Sequence, residues 1–405
     1  MGEQQPLALY VHVPFCKARC AYCDFNTYAG LSPLFAPYVR ALVREVRMWG
    51  ERLADGGPPV SVRTLYVGGG TPSLLPPPLL AQVLDACREA FRLLPDAEVS
   101  LEANPETVER ENLTALRALG VNRLSLGLQS THADELRLLG RRHTFEDAVR
   151  AVRAARQAGF DNLNLDLIYG LPGQTVARWQ RSLERVLALE PEHLSAYSLT
   201  VEEGTPLYDR VAAGRLPPPD PDQAAEMYEL AEGMLAEAGY VHYEISNWAR
   251  LPRPPLEGPA LSPVREPSPF VCRHNLVYWR NEPYLGVGAG AHSSLEGRRW
   301  HNVLAPAHYI ACLEAGELPI AQVEELSPEM AMAETMILGL RLLVEGVSCE
   351  EFRRRFGRHP LEQYGEAIEG LVRVGLLTVD GDRIRLTARG RLLGNEVFIR
   401  FLPEG

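Results

Sequence analysis

The stretch Pro14-Phe15-Cys16-Lys17-Ala18-Arg19-Cys20-Ala21-Tyr22-Cys23-Asp24-Phe25 decides the reading of this chain. It follows a strand-like run, Leu7 to Val13, and places three of the seven cysteines in one short loop at spacing C-x3-C-x2-C. Thiolate sulfur is a soft ligand that selects iron–sulfur clusters, zinc or Cu(I). Structural zinc usually closes with four ligands, often from C-x2-C pairs, and a cubane cluster usually takes four cysteines. Three cysteines with no fourth nearby point to a cluster with one iron left open for a cofactor. The plainer alternatives are packed thiols, as isolated cysteines usually are, or a partial zinc site.

Working outward, strand-like and helix-like patterns alternate from residue 6 to about residue 240. Helices are expected at 34–54, 77–93, 107–119, 145–159 and 175–188, leading to strands at 63–67, 98–102, 123–128, 162–168 and 193–199. With Leu7–Val13 this makes six strands separated by helices, the pattern of parallel βαβ units. The expected fold class is α/β, an open, partial (β/α)6 barrel. In such folds ligands gather past the carboxyl ends of the strands. There lie the cysteine loop, Gly68-Gly69-Gly70-Thr71-Pro72, Glu102, Gln129 and, within the fifth strand, Asp166.

The C-x3-C-x2-C loop after a strand resembles the radical S-adenosylmethionine (SAM) superfamily. The fuller run Leu9-Tyr10-Val11-His12-Val13-Pro14-Phe15-Cys16 is similar to the oxygen-independent coproporphyrinogen III oxidase family and its haem-chaperone branch. The resemblance implies a [4Fe–4S] cluster on Cys16, Cys20 and Cys23, with the amino and carboxylate groups of SAM on the open iron. It implies that Tyr10, Tyr22, Gly69, Gly70, Thr71, Glu102, Gln129, Arg141 and Asp166 surround SAM, with Arg141, beside Arg142, toward the carboxylate. Read from the residues alone, the glycines also fit a strand-to-helix turn, a lone Gln or Asp is often structural, and His12 is as readily a packed histidine as a catalytic one.

Two features separate the branches. The oxidase pattern continues to a fourth cysteine, C-x3-C-x2-C-x-C, where this chain has Phe25. The run His274-Asn275-Leu276-Val277-Tyr278-Trp279 looks like the H-N-x-x-Y-W signature of the chaperone branch. Histidine ligates haem iron, and Tyr278 and Trp279 offer flat apolar surface to a porphyrin. A buried, satisfied histidine is the competing reading; Cys272 and His292 are further candidate ligands. The expected function is therefore a haem chaperone that binds haem, a [4Fe–4S] cluster and SAM and hands haem to acceptor proteins. The alternative is oxidative decarboxylation of coproporphyrinogen III, in which a 5′-deoxyadenosyl radical takes a β-hydrogen and CO2 loss leaves a vinyl group. SAM cleavage would need a reductase or a flavodoxin- or ferredoxin-type electron donor.

The rest of the sequence bounds these readings. A net charge of −11 argues against a nucleic-acid surface. No apolar run reaches the ~18 residues of a membrane span, and Met1 to Pro6 lacks a signal-peptide pattern. A reducing cytoplasm is expected, where cysteines serve metals or chemistry; Cys87, Cys312 and Cys349 read as packed thiols in helices. Gly286-x-Gly288-x-Gly290 lacks the helix of a dinucleotide fingerprint, because Ser293 to Gly297 reads as a turn. The expected domains are a barrel at 1–240, an extension at 241–326 with a proline-rich insertion at 251–268, and a smaller helical, winged-helix-like domain at 327–405. The last rests on helices at 328–343, 349–356 and 361–375 before a hairpin turning at Asp380-Gly381.

Overall fold

The computed structural model describes residues 6–252 and 267–403, so most of the proline-rich insertion expected at 251–268 lies outside the described residues. The chain forms two compact units. The first comprises Met1–Ala231, Pro283–Leu295 and Arg299–Val323; the second comprises Glu232–Glu282, Glu296–Arg298 and Glu324–Gly405.

The first unit alternates β1 (Leu7–Val13), α1 (Phe35–Ala54), β2 (Ser61–Gly69), α2 (Pro77–Ala90), β3 (Arg92–Ala103), α3 (Arg110–Ala118), β4 (Arg123–Gln129), α4 (Ala133–Leu138), α5 (Phe145–Gln157), β5 (Leu163–Tyr169), α6 (Val176–Leu187) and β6 (His193–Ser198). The six strands pair in parallel in chain order. Every residue of β1 except Tyr10 is buried. Such near-continuous burial is what a parallel strand covered on both faces requires. Local signals start the helices: Thr144 and Asp147 form a capping box at α5, and the Thr175 hydroxyl caps α6. This is the expected α/β partial barrel.

The sheet continues beyond β1. Tyr284–Val287 pairs with β1 in parallel, and His292–Leu295 follows it antiparallel. The turn expected over Ser293 to Gly297 is therefore a strand as far as Leu295. The cause is Ser293, fully buried, whose hydroxyl accepts from Gly286 N at 2.9 Å and donates to Gly286 O at 3.2 Å. A residue that reads as a turn former by type is spent on the strand ladder.

A buried carboxylate locks this added strand to α1. Glu45 is fully buried and accepts from Gly288 N (2.7 Å), the Asn302 side-chain amide (2.7 Å) and the Tyr309 hydroxyl (2.5 Å). Tyr38 extends the network, donating to His12 O at 2.9 Å and accepting from Ala289 N at 2.8 Å. Burial pushes the Glu45 carboxyl up to about 7 despite these donors. Glu45→Ala leaves three buried donors without their acceptor. It is expected to cost about 3 kcal/mol or more of stability, seen as a lower urea midpoint with an unchanged slope. An unchanged midpoint would refute the anchoring role.

In the second unit Tyr240–Glu244 and Asn247–Arg250 form an antiparallel hairpin. A three-stranded antiparallel sheet, ordered Val347–Ser348, Arg383–Leu386 and Leu377–Asp380, packs with helices Pro328–Gly339, Cys349–Phe356 and Pro360–Arg373. Met336, Leu340, Phe352, Ile368, Ile384 and Phe401 are among the residues of its core. This is the helical, winged-helix-like region expected. Among the described residues no helix is long and apolar enough to cross a membrane.

Candidate functional site

The cysteine loop leaves the carboxyl end of β1 and is held from several sides. Phe15–Cys16 pairs in parallel with Tyr28–Ala29. The segment after β2 runs along the loop's entrance, with Gly70 N donating to Val13 O (2.9 Å) and Thr71 N to Phe15 O (2.8 Å). A Cβ on Gly70 would lie 2.6 Å from Phe15 O and 2.9 Å from Cys16 Sγ, so only glycine allows this approach. The far side docks on the loop after α4, where Ala21 N donates to Leu139 O at 2.9 Å. Gly140 there has φ +73°, and a Cβ on it would meet Ala21 N at 2.9 Å. These backbone contacts, together with Ala21 and Tyr22 packed against Leu139, Ile168 and Leu171, hold the half-exposed cysteines.

Each sulfur has its own polar neighbour. The Thr71 hydroxyl donates to Cys16 Sγ (3.7 Å), Arg141 Nη1 donates to Cys20 Sγ (3.5 Å), and Thr27 Oγ1 lies 3.7 Å from Cys23 Sγ. Burial pushes the Cys16 thiol up, while the Thr71 donor opposes it. Donors aimed at sulfur favour the thiolate that metal binding requires. All seven cysteines are free. Among the described residues no group of three or more His, Cys, Asp or Glu is placed to hold a single metal ion. Three cysteines spread around one loop suit a cluster, in which each sulfur meets a different iron.

The rim beside the loop carries two carboxylates. Glu102, near the end of β3, accepts from the Tyr66 hydroxyl and from Gly69 N, both at 2.9 Å. Asp166 in β5 accepts from the Ser125 hydroxyl (3.0 Å) and the Asn164 amide (2.8 Å). Burial, followed by the charge of Asp166, pushes the Glu102 carboxyl up to about 7. Burial raises Asp166 as well. A buried carboxylate raised further by a second one suits a cationic, hydroxyl-bearing ligand, which would relieve the repulsion.

Arg141 brings the opposite charge. Its Nη2 donates to Asn104 Oδ1 at 2.9 Å and to Gly127 O, and its buried Nε has no partner among the described residues. Asn104 Oδ1 and Gly127 O are neutral acceptors, so the Nη2 end of the guanidinium suits an anionic group. Arg142 is exposed, which separates the two neighbouring arginines. Gln129 ends β4 in the left-handed region, φ +67°, at a break in register with β5. Such a bulge re-aims a side chain, and a non-glycine residue there is strained. Tyr22 is half-buried, its phenol pushed up by burial and by Cys20.

Tyr10 and His12 are already engaged. The Tyr10 hydroxyl lies 2.9 Å from His12 Nδ1, and His12 Nε2 donates to Asn26 O at 3.0 Å. His12 is buried and its pKa is lowered by that burial, so it fits the packed reading. Tyr66, Asn104, Asn26 and Thr27 were not singled out from sequence. Asn104 directly follows the strand end in Leu101-Glu102-Ala103-Asn104-Pro105, and that position is the signal the sequence offers.

The second unit contains the H-N-x-x-Y-W run as a helix, Arg273–Trp279. His274 is 1% exposed and its Nε2 lies 3.0 Å from the Tyr278 hydroxyl. Tyr278 and Trp279 are half-buried, and Arg341 lies 4.8 Å from the Trp279 ring centre. The geometry does not present His274 as an open axial ligand; its ring faces inward. Cys272 is equally buried, which closes it as a haem ligand in this arrangement. His292, in the first unit, is exposed, with its ring 5.2 Å from that of His301. A polar phenol beside an aromatic indole fits a porphyrin's needs for one polar contact and flat apolar surface.

Comparison with known proteins agrees with this architecture. A model of the radical SAM superfamily matches residues 10–186, and one of the HemN C-terminal domain matches residues 326–393. The chain is 41% identical over 402 residues to Heme chaperone HemW of Mycobacterium tuberculosis, covering 97% of this chain and 94% of that protein. It is 37% identical over 396 residues to Heme chaperone HemW of Bacillus subtilis, covering 98% and 99%. Among solved structures it resembles coproporphyrinogen III oxidase (HemN) from Escherichia coli, a radical SAM enzyme, at TM-score 0.81 and 26% identity, covering 98% of this chain and 90% of that one. Radical SAM membership implies a [4Fe–4S] cluster and SAM, chemistry that belongs to the cofactors while the protein orients and shields them. With near-full-length relatives at this identity, the chain belongs to the radical SAM superfamily and, within its HemN-like family, to the HemW branch.

Proposed function

We propose that this chain is a haem chaperone, binding haem and passing it to acceptor proteins in a reducing cytoplasm. The observation that carries the reading is its near-full-length likeness to proteins named Heme chaperone HemW. Phe25 supports it, standing 64% exposed where the oxidase pattern continues to a fourth cysteine. Cys16, Cys20 and Cys23 would hold the cluster. Glu102 and Asp166 would face the cationic and hydroxyl groups of SAM, and Arg141 its carboxylate. Gly69, Gly70 and Thr71 would line the approach, with Gln129, Tyr10 and Tyr22 at the margins. Haem would meet the helix of His274, Tyr278 and Trp279. A flavodoxin- or ferredoxin-type donor is proposed only for SAM cleavage. The divisions 1–240, 241–326 and 327–405 are the proposed barrel, extension and C-terminal domain.

The test sets two assays side by side on anaerobically reconstituted protein. Titration with haem should saturate near one haem per chain, and incubation with coproporphyrinogen III, SAM and reductant should yield no protoporphyrinogen IX. Turnover to protoporphyrinogen, or no saturable haem binding, would overturn the reading.

A further inference from the structure

The H-N-x-x-Y-W helix contains an asymmetry between its two polar rings. His274 and Tyr278 are one helical turn apart, so they share a face. Their rings meet edge to face, 5.2 Å apart at 88°, with Nε2 and Oη 3.0 Å apart. The imidazole is 1% exposed, whereas the phenol is only half-buried. An iron at the centre of a rigid, flat macrocycle cannot reach a ring packed behind its neighbour. The phenol is the more open of the two rings. Tyrosine is an established axial ligand of haem iron.

We propose that the iron ligand supplied by this helix is the phenolic oxygen of Tyr278, with His274 as the positioning residue behind it. This rests on the haem-binding reading above. On ligation the Tyr278 O–H bond breaks and an oxygen–iron bond forms. The proton passes to His274 Nε2, which lies at hydrogen-bond distance and accepts when the neutral ring carries its proton on Nδ1. No electron moves, and the iron stays ferric. The phenolate charge offsets the single positive charge of a ferric porphyrin core. The geometry therefore assigns a requirement for both residues with different consequences for the iron spectrum.

The test titrates the full-length, cluster-reconstituted protein with ferric haem and records optical, electron paramagnetic resonance and resonance Raman spectra. Wild-type protein should show iron–phenolate vibrations. Tyr278→Phe, which keeps the ring and its packing, should lose them, with ferric-haem affinity falling about tenfold or more. His274→Gln should retain those vibrations at weakened affinity, because the ligand oxygen remains. Reduction to ferrous haem should weaken wild-type binding and leave Tyr278→Phe little changed. If Tyr278→Phe keeps the wild-type ferric spectrum and affinity while His274→Gln loses them, the ligand is His274; the proposal then fails and the haem-binding reading stands. If wild-type protein binds no haem, both fail. Circular dichroism and iron content of each variant separate ligand loss from unfolding.

Discussion

Serine in place of Cys16, Cys20 or Cys23 is expected to abolish cluster assembly, reducing iron in anaerobically reconstituted protein from about four per chain to background. The argument is one of supply. Cys87, Cys272 and Cys349 are buried, and Cys87 and Cys349 lie within helices of their own. Cys312 lies in the helix Pro306–Glu314. None of them belongs to the loop. A serine hydroxyl is a hard, weakly acidic donor that does not replace a thiolate on iron. The loop's own fold should survive, because its contacts to Val13, Phe15 and Leu139 are made by the backbone. Iron and sulfide content read with circular dichroism would check both halves. A serine variant that keeps the full iron content and the cubane absorption would mean that the sulfur in question is not a ligand.

The sequence made the barrel legible because its strands carry two signals at once. β1 is a buried run ending at a proline, and α5 and α6 open on the capping threonines Thr144 and Thr175. Rim residues Glu102 and Asp166 were legible for the same reason, since strand ends in a parallel sheet converge. Other features depended on distant backbone. The choice between Arg141 and Arg142 turns on the docking of Leu139 onto Ala21, which no local pattern encodes. Gln129 reads as an ordinary strand end, yet the register break before it sets its direction. Ser293 carries a turn former's side chain but satisfies the backbone of Gly286 instead. The H-N-x-x-Y-W run could be read as chemistry or as packing, and burial of His274 needed the fold of the second unit.

Arg141→Met should leave the cluster in place and lower the affinity for SAM by about ten- to a hundredfold, the worth of one or two charge-assisted hydrogen bonds. The expectation follows from the acceptors that Arg141 has. Cys20 Sγ, Asn104 Oδ1 and Gly127 O hold the guanidinium but carry no carboxylate to neutralise it. A carboxylate-bearing ligand supplies the missing charge. Arg141→Lys should recover little, because an ammonium cannot meet sulfur, amide and carbonyl acceptors from one planar fork. Arg142→Met serves as the internal control; its side chain is exposed and should leave affinity unchanged. The measurement is a SAM titration of the reduced cluster followed by electron paramagnetic resonance, with iron content determined on the same samples. Equal SAM affinity in Arg141→Met and wild type would remove Arg141 from the ligand site. Loss of iron in that variant would instead assign the guanidinium to holding Cys20 and the cluster loop.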